Sequence, residues 1–241
     1  GKATARLYAS EGATVFCVSR TASKLEAVVA DIVAAGGKAA FAAGDLSKPA
    51  DAERSFSAAL AAYGRVDILV NAAGVGYSWA DKSPGTMNET ITTTPEAWRE
   101  VMANNLDSVF YMCRAALTHM QPRRTGVIVN VASIYGMMGV ANAHAYTATK
   151  GALINYTRSL AVTYVADGIR SNCLAPGFID TGMVASVTPL FQDAAIAKQI
   201  SPMGRPGTPG EMAYACLYLG CDESSYCNGT VLVADGGSLS Q

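Results

Sequence analysis

Short runs rich in β-branched residues alternate with longer helical patterns along this chain, and that alternation restricts its fold more than any other feature. "ATVFCVSR" (13–20) reads as a buried strand, and "TASKLEAVVADIVAAGG" (21–37) as a helix that ends on glycine. "KAAFAAGDLS" and "PADAERSFSAALAAYG" repeat the pair, the helix opening with Pro49. "VDILVNAAG" leads to a long helical stretch between Pro95 and Met120; "GVIVNVAS" precedes a helix at 144–166. "GIRSNCLAPG", "TPGEMAYACLYLGC" and "GTVLVADGG" close the series as strand, helix and strand. Strands joined by crossovers of this length run parallel, and a parallel sheet needs helices on both faces. The predicted class is α/β, a doubly wound parallel sheet in a single domain over 1–241. Ligand is expected at the carboxyl ends of the strands.

The opening, "GKATARLYASEGA", is a helical pattern with no strand before it and no glycine-rich turn. The first strand of a doubly wound dinucleotide-binding sheet lies centrally, and the turn after it holds the pyrophosphate. The expectation is therefore a sheet with a vacant or distorted central position. A strand and turn on the order of fifteen residues, preceding Gly1, would fill it.

Of the 241 residues, 50 % are hydrophobic and 15 % charged, enough to bury a large core. Eighteen basic and nineteen acidic residues leave a formal charge of −1, no footprint for nucleic acid or an anionic membrane. Six cysteines form no CxxC pair and stand beside two histidines, which predicts reduced thiols and no zinc site. No apolar run approaches the roughly 18 residues of a membrane span, and no signal pattern is present, so a cytoplasmic location is expected.

Candidate chemistry centres on "AYTATK" (145–150), which places Tyr146 and Lys150 one helical turn apart on one face. A free phenol has a pKa near ~10, and an ammonium within reach pulls it towards neutral pH. Ser133, at the end of the preceding strand, offers a hydroxyl for a substrate oxygen. Taken singly, Tyr146 reads equally as a half-buried aromatic and Ser133 as a turn residue. His144 lies two residues before Tyr146, but no G-x-S-x-G elbow accompanies it, so it is at most a substrate-pocket contact. The polar segment 75–94, punctuated by Pro and Gly, is longer than an ordinary connection and reads as functional or mobile.

In order and spacing, "NAAG" (71–74), "VNVASIYG" (129–136), "YTATK", "APGFIDTGM" (175–183) and "VLVADGG" resemble the short-chain dehydrogenase/reductase family across essentially the whole chain. The resemblance implies a Rossmann-type fold and NAD(P)-dependent hydride transfer between a secondary alcohol and a ketone. It implies Tyr146 as general acid/base, Lys150 as its partner and ribose ligand, and Ser133 as the group orienting the carbonyl. It adds an asparagine holding a water that relays protons to Lys150, for which "VMANNLDSVF" offers Asn104 and, on the N-L spacing, Asn105. Gly1 would be the last glycine of the phosphate turn. Asp45 and Leu46 would flank the adenine, although Asp45 reads equally as a helix N-terminal acid. Asn71, Ala72 and Gly74 would line the ribose side, and the backbone of Pro176, Gly177 and Ile179, with Thr181, would meet the carboxamide. A homotetramer assembled through the helices at 95–120 and 144–166 and the C-terminal strand region is also implied.

Cofactor choice falls on the end of "VFCVSRT", where Ser19 and Arg20 stand and no carboxylate does. An acid there reads a ribose 2′-hydroxyl, whereas arginine suits a 2′-phosphate, so NADP(H) is favoured over NAD(H). An arginine after a strand can equally be a solvated surface residue. Segment 183–200 resembles a variable substrate lid, with Met183, Val184, Leu190 and Phe191 apolar and Met137 and Met138 beyond the serine. That suits a steroid-like or bile-acid-like alcohol or a 3-oxoacyl chain. A non-catalytic dinucleotide-binding regulator and an inactive fragment are the rival readings.

Overall fold

A parallel sheet in two parts organises the chain, whose computed structural model describes residues 1–241. In chain order the strands are β1 (Thr14–Ser19), β2 (Lys38–Ala43), β3 (Ile68–Asn71), β4 (Gly126–Val131), β5 (Ile169–Pro176) and β6 (Val231–Ala234). The helices are α1 (Lys2–Ser10), α2 (Ala22–Ala34), α3 (Pro49–Tyr63), α4 (Pro95–Met102), α5 (Ser108–Arg123), α6 (His144–Tyr164), α7 (Ala194–Ile200) and α8 (Pro209–Gly220). β1 pairs with β2 alone, while β3, β4, β5 and β6 form the second ladder in that order. All pairings are parallel, as crossovers of this length require.

No strand joins β1 to β3, so the division expected from the sequence runs through the middle of the sheet. Both inner edges carry backbone groups with no ladder partner, whereas β5 is paired on either side and almost wholly buried.

The helix boundaries follow from local chemistry. Pro49 and Gly64 bracket α3, the glycine taking the left-handed conformation (φ 75) that closes the helix. Thr94 caps α4 by accepting from the Ala97 amide, with Pro95 following. Thr208 and Glu211 form a reciprocal capping box on α8.

Two apolar layers hold the helices to the second ladder. On one face Ile128 and Cys173 pack with Phe56, Met112, Met120 and Leu153 from α3, α5 and α6. On the other, Val129 and Leu174 pack with Tyr8 of α1 and Cys216 and Leu219 of α8. Each large aliphatic side chain buried here contributes about 1.5–3 kcal/mol. Consecutive residues of one strand thus serve opposite layers, and the strand ends are left to carry the polar groups.

Candidate active site

The candidate site forms where β4 ends and α6 begins. Ser133 leaves β4 in an extended conformation and caps the short 3₁₀ turn Ile134–Gly136, its hydroxyl accepting from the Tyr135 amide at 3.2 Å. Tyr146 lies in the first turn of α6 and Lys150 one turn on, and all three side chains are buried. Gly136 brings turn and helix into contact: a Cβ there would stand 2.6 Å from both the carbonyl carbon and the oxygen of Lys150. Ser133 and Tyr146 line a cavity of about 30 Å³ with Gly76, Tyr77, Tyr135, Phe178 and Met183.

Lys150 Nζ donates to Val131 O at 3.0 Å and lies 5.6 Å from the centre of the Tyr146 ring, over its face. This corrects the expectation that the ammonium lowers the phenol's pKa. Burial pushes Tyr146 up to about 12, with the Ser133 hydroxyl pulling the other way and the Tyr77 phenol adding to the rise. Burial likewise brings Lys150 down to about 8. In this arrangement both groups are held towards their neutral forms, because desolvation outweighs a cation that is spent on a carbonyl.

Asn105 is inaccessible to solvent and sits in a single π-helical turn, Ala103–Asp107, between α4 and α5. Such turns recur at functional sites because the extra residue swings a side chain out of helical register. Its Oδ1 accepts from the Val75 amide at 2.7 Å and its Nδ2 donates to Val75 O at 3.0 Å. The side-chain amide thus clamps the strand-end backbone, and no hydrogen bond joins it to Lys150. Asn104 points elsewhere, accepting from Arg20 at 3.4 Å.

The remaining predicted positions divide clearly. Gly74 passes close over the site, since a Cβ there would meet Asn105 Oδ1 at 2.9 Å and Lys150 Nζ at 3.8 Å. Gly177 lines the cavity beyond Pro176, held by its amide to Ala234 O. Asn71 directs its amide to Asn130 inside the sheet, at 2.9 Å, leaving Ala72 and Gly74 to present backbone. Asp45 is folded onto Ser47 through both its amide and hydroxyl, a local turn, and Leu46 packs against the core. Ile179 bridges to Gly207, and Thr181 is exposed. Gly1 caps α1, its carbonyl accepting from Ala5. Ser19 ends β1, and its carbonyl accepts from Gly44. Arg20 is exposed, its guanidinium 4.7 Å from the centre of the Trp79 ring.

The expectations for the pocket wall shift in part. Met137 and Met138 are exposed beyond the 3₁₀ turn and do not line the cavity, and Leu190 is exposed as well. Val184 joins Met183 in the lining, while Phe191 stacks edge-on against Phe178 behind it. His144 is tied to Thr90 rather than to the pocket. Tyr77, Tyr135 and Phe178, stacked edge-to-face in sequence, form the wall that the sequence did not reveal.

A nicotinamide dinucleotide fits these residues. Lys150 is buried with one hydrogen bond, so two of its N–H donors lack a protein acceptor, as a ribose diol would need. The cradle at Gly74 admits no side chain beside them.

Residues 1–238 match the family model described as enoyl-(acyl carrier protein) reductase. The chain is 34 % identical to the 3-oxoacyl-[acyl-carrier-protein] reductase of Chlamydia pneumoniae, covering 98 % of this chain and 91 % of that one. It is 33 % identical to the cyclohexanol dehydrogenase of Acinetobacter sp. (strain SE19), covering 100 % and 91 %. It belongs to the short-chain dehydrogenase/reductase family. A solved structure of levodione reductase superimposes with a TM-score of 0.90 at 33 % identity, covering 100 % of this chain and 93 % of that one. As a short-chain dehydrogenase/reductase, the protein is an NAD(P)-dependent oxidoreductase acting on CH–OH groups.

Proposed function

We propose that the chain interconverts neutral, largely apolar cyclic ketones and their secondary alcohols, with NADP(H) as cofactor. The observation that carries this reading is the cavity at Ser133 and Tyr146. Its other walls are Tyr77, Ile134, Tyr135, Phe178, Met183 and Val184, and no charged side chain lines it. A carboxylate or phosphate would there be desolvated without a partner. Relatives that act on cyclohexanol and cyclopentanol point the same way. The cavity has about the volume of one water, so substrate entry displaces Met183, consistent with 183–200 serving as a lid. A compact ring asks less of that movement than a steroid does.

When bound, the nicotinamide supplies or accepts the hydride. Ser133 directs its hydroxyl to the substrate oxygen, and Tyr146 gives that oxygen a proton on reduction and removes one on oxidation. Lys150, Gly74 and the backbone of Gly177 would hold the nicotinamide end, with Lys150 on the ribose. Asn105 fixes Val75 so that Gly74 keeps its approach. Its place in a proton relay through water to Lys150 belongs to this proposal.

The phenol at about 12 gives a directional pH expectation. Below that value Tyr146 is protonated, ready to donate, so reduction has its acid throughout the neutral range. Oxidation needs the phenolate, whose fraction rises about tenfold per pH unit. Rate profiles should therefore show oxidation climbing with pH while reduction stays level across the neutral range. A level oxidation profile would contradict this assignment of the base.

Arg20 supports NADP(H): it follows β1 with no acid beside it, and leaving Trp79 would free it for a 2′-phosphate. A charge-assisted contact of this kind contributes roughly 1.5–3 kcal/mol, so Arg20→Ala should weaken NADPH by about ten- to over a hundredfold. Titrations with both cofactors test it, NADH being little affected; equal losses would remove the preference.

Assembly as a homotetramer is part of the proposal. Trp98 on α4, Phe110 on α5 and Val162 on α6 are exposed apolar residues on the helices expected to associate. Light scattering at micromolar concentration should give four times the chain mass, and a stable monomer would refute it.

A further inference from the structure

Residues 85–93 take no part in the chemistry above, yet they hold the entrance to the catalytic helix. α6 has no side-chain cap; Ala143 stands at that position in the left-handed conformation (φ 53), directly after Asn142 (φ 64). The first amides of a helix have no partner within it. Here those partners are carbonyls of the distant segment: Ala143 donates to Met87 O at 3.1 Å and His144 to Asn88 O at 3.2 Å. A contact runs back as well. The Thr90 amide donates to His144 Nδ1 at 3.0 Å, and the Thr90 hydroxyl lies 2.9 Å from the same nitrogen. A backbone amide can only donate, so Nδ1 must present a lone pair and the ring is the tautomer protonated on Nε2.

The segment is braced for this task. Thr93 donates through its amide and its hydroxyl to Glu89 O, and Asn88 Nδ2 donates to the Thr92 hydroxyl. The Met87 side chain is buried in the same small cluster as Val101, Ala143, Ala145 and Tyr146. Three hydrogen-bonded ties and one apolar anchor therefore converge on the two residues preceding Ala145 and Tyr146.

We propose that His144 is a positioning residue: by accepting from the Thr90 amide it locks segment 85–93 onto the start of α6 and so fixes the Tyr146 phenol opposite Ser133. This rests on the reading of Tyr146 as the acid/base. Segment 85–93 then works as an external cap, which explains why a helix bearing the catalytic pair begins without a Ser, Thr, Asp or Asn of its own.

The test compares His144→Leu, which removes the acceptor, with His144→Asn, whose Oδ1 can stand in for Nδ1. Thr90→Val, which keeps the amide and removes only the hydroxyl, serves as a control. Turnover and amide hydrogen exchange are measured on each variant of the 241-residue chain. The expected result for His144→Leu is a kcat lower by roughly ten- to a hundredfold, the scale of a small misplacement of a reacting group. Its KM for NADP(H) should be unchanged, and exchange should quicken at Thr90, Ala143 and His144 while β5 stays protected. His144→Asn should recover most of the kcat and the protection, and Thr90→Val should stay near wild type. Wild-type kcat in His144→Leu would overturn the proposal, as would an asparagine variant as impaired as leucine. A loss of protection throughout the chain would reduce His144 to a packing role. A wild-type chain that binds cofactor without turnover would instead defeat the reading of Tyr146, and the three amides alone would then decide whether the tie exists.

Discussion

Replacing Tyr146 by phenylalanine is expected to lower turnover by roughly 10²–10⁴-fold, the range that a positioned general acid/base contributes. The ring itself is needed: it packs against Val75, Met87 and Val101, and Lys150 Nζ lies over its face. Phenylalanine keeps that packing and removes only the hydroxyl, so cofactor binding and folding should be preserved. The deleted group is the one whose surroundings hold it protonated, which is the form a carbonyl oxygen requires during reduction. Steady-state kinetics with a cyclic ketone, together with a cofactor titration of the same sample, check both halves. Activity retained within a few-fold of wild type would remove Tyr146 as the acid/base.

The second large effect is expected at a residue with no chemistry of its own. A methyl group at Gly136 would lie 2.6 Å from the Lys150 carbonyl carbon and oxygen and 2.9 Å from the Gly151 amide nitrogen. All three are backbone atoms, so no side-chain rotation relieves the clash, and the turn must part from α6. Overpacking of this kind typically costs 1–3 kcal/mol, roughly, and more where only backbone can move. The separation would also pull Ser133, three residues earlier, away from Tyr146. Gly136→Ala should therefore lose stability and about a hundredfold in kcat together. Thermal unfolding and turnover of the one variant test this; a stable, fully active protein would mean that turn and helix are less tightly joined than the geometry indicates.

Much of the architecture could be read in advance because it rests on local signals. Pro49 with Gly64, Thr94 with Pro95, and Thr208 with Glu211 mark helix ends through chemistry confined to a few residues. The parallel strand order was legible for the same reason, since each strand and the helix that follows it carry their own local pattern. Ser133, Tyr146 and Lys150 were legible as a set because a strand end and one helical turn bring them together. What escaped depends on tertiary placement. The ammonium's effect on the phenol was misjudged because four-residue spacing gives proximity but not direction, and Lys150 turns to Val131 O. Tyr77, Tyr135 and Phe178 come from three separate connections and carry no shared spacing. Met137 and Met138 follow the serine closely in sequence, yet the 3₁₀ turn carries them outwards. His144 drew notice only as a pocket contact, and its tie to Thr90 gave no signal, since the partner is a backbone amide 54 residues away.

The cavity at Ser133 and Tyr146 is proposed as the site of hydride transfer to an uncharged ketone. The direct measurement is a single-turnover reaction of the 241-residue chain with NADPH deuterated at the transferred position and cyclohexanone, followed by cofactor absorbance and by mass analysis of the alcohol. The expected result is loss of NADPH matched by cyclohexanol carrying one deuterium on the carbinol carbon, and neither in Tyr146→Phe. NADPH that binds but is never consumed, with this or any other neutral cyclic ketone, would contradict it and leave a dinucleotide-binding regulator as the better description.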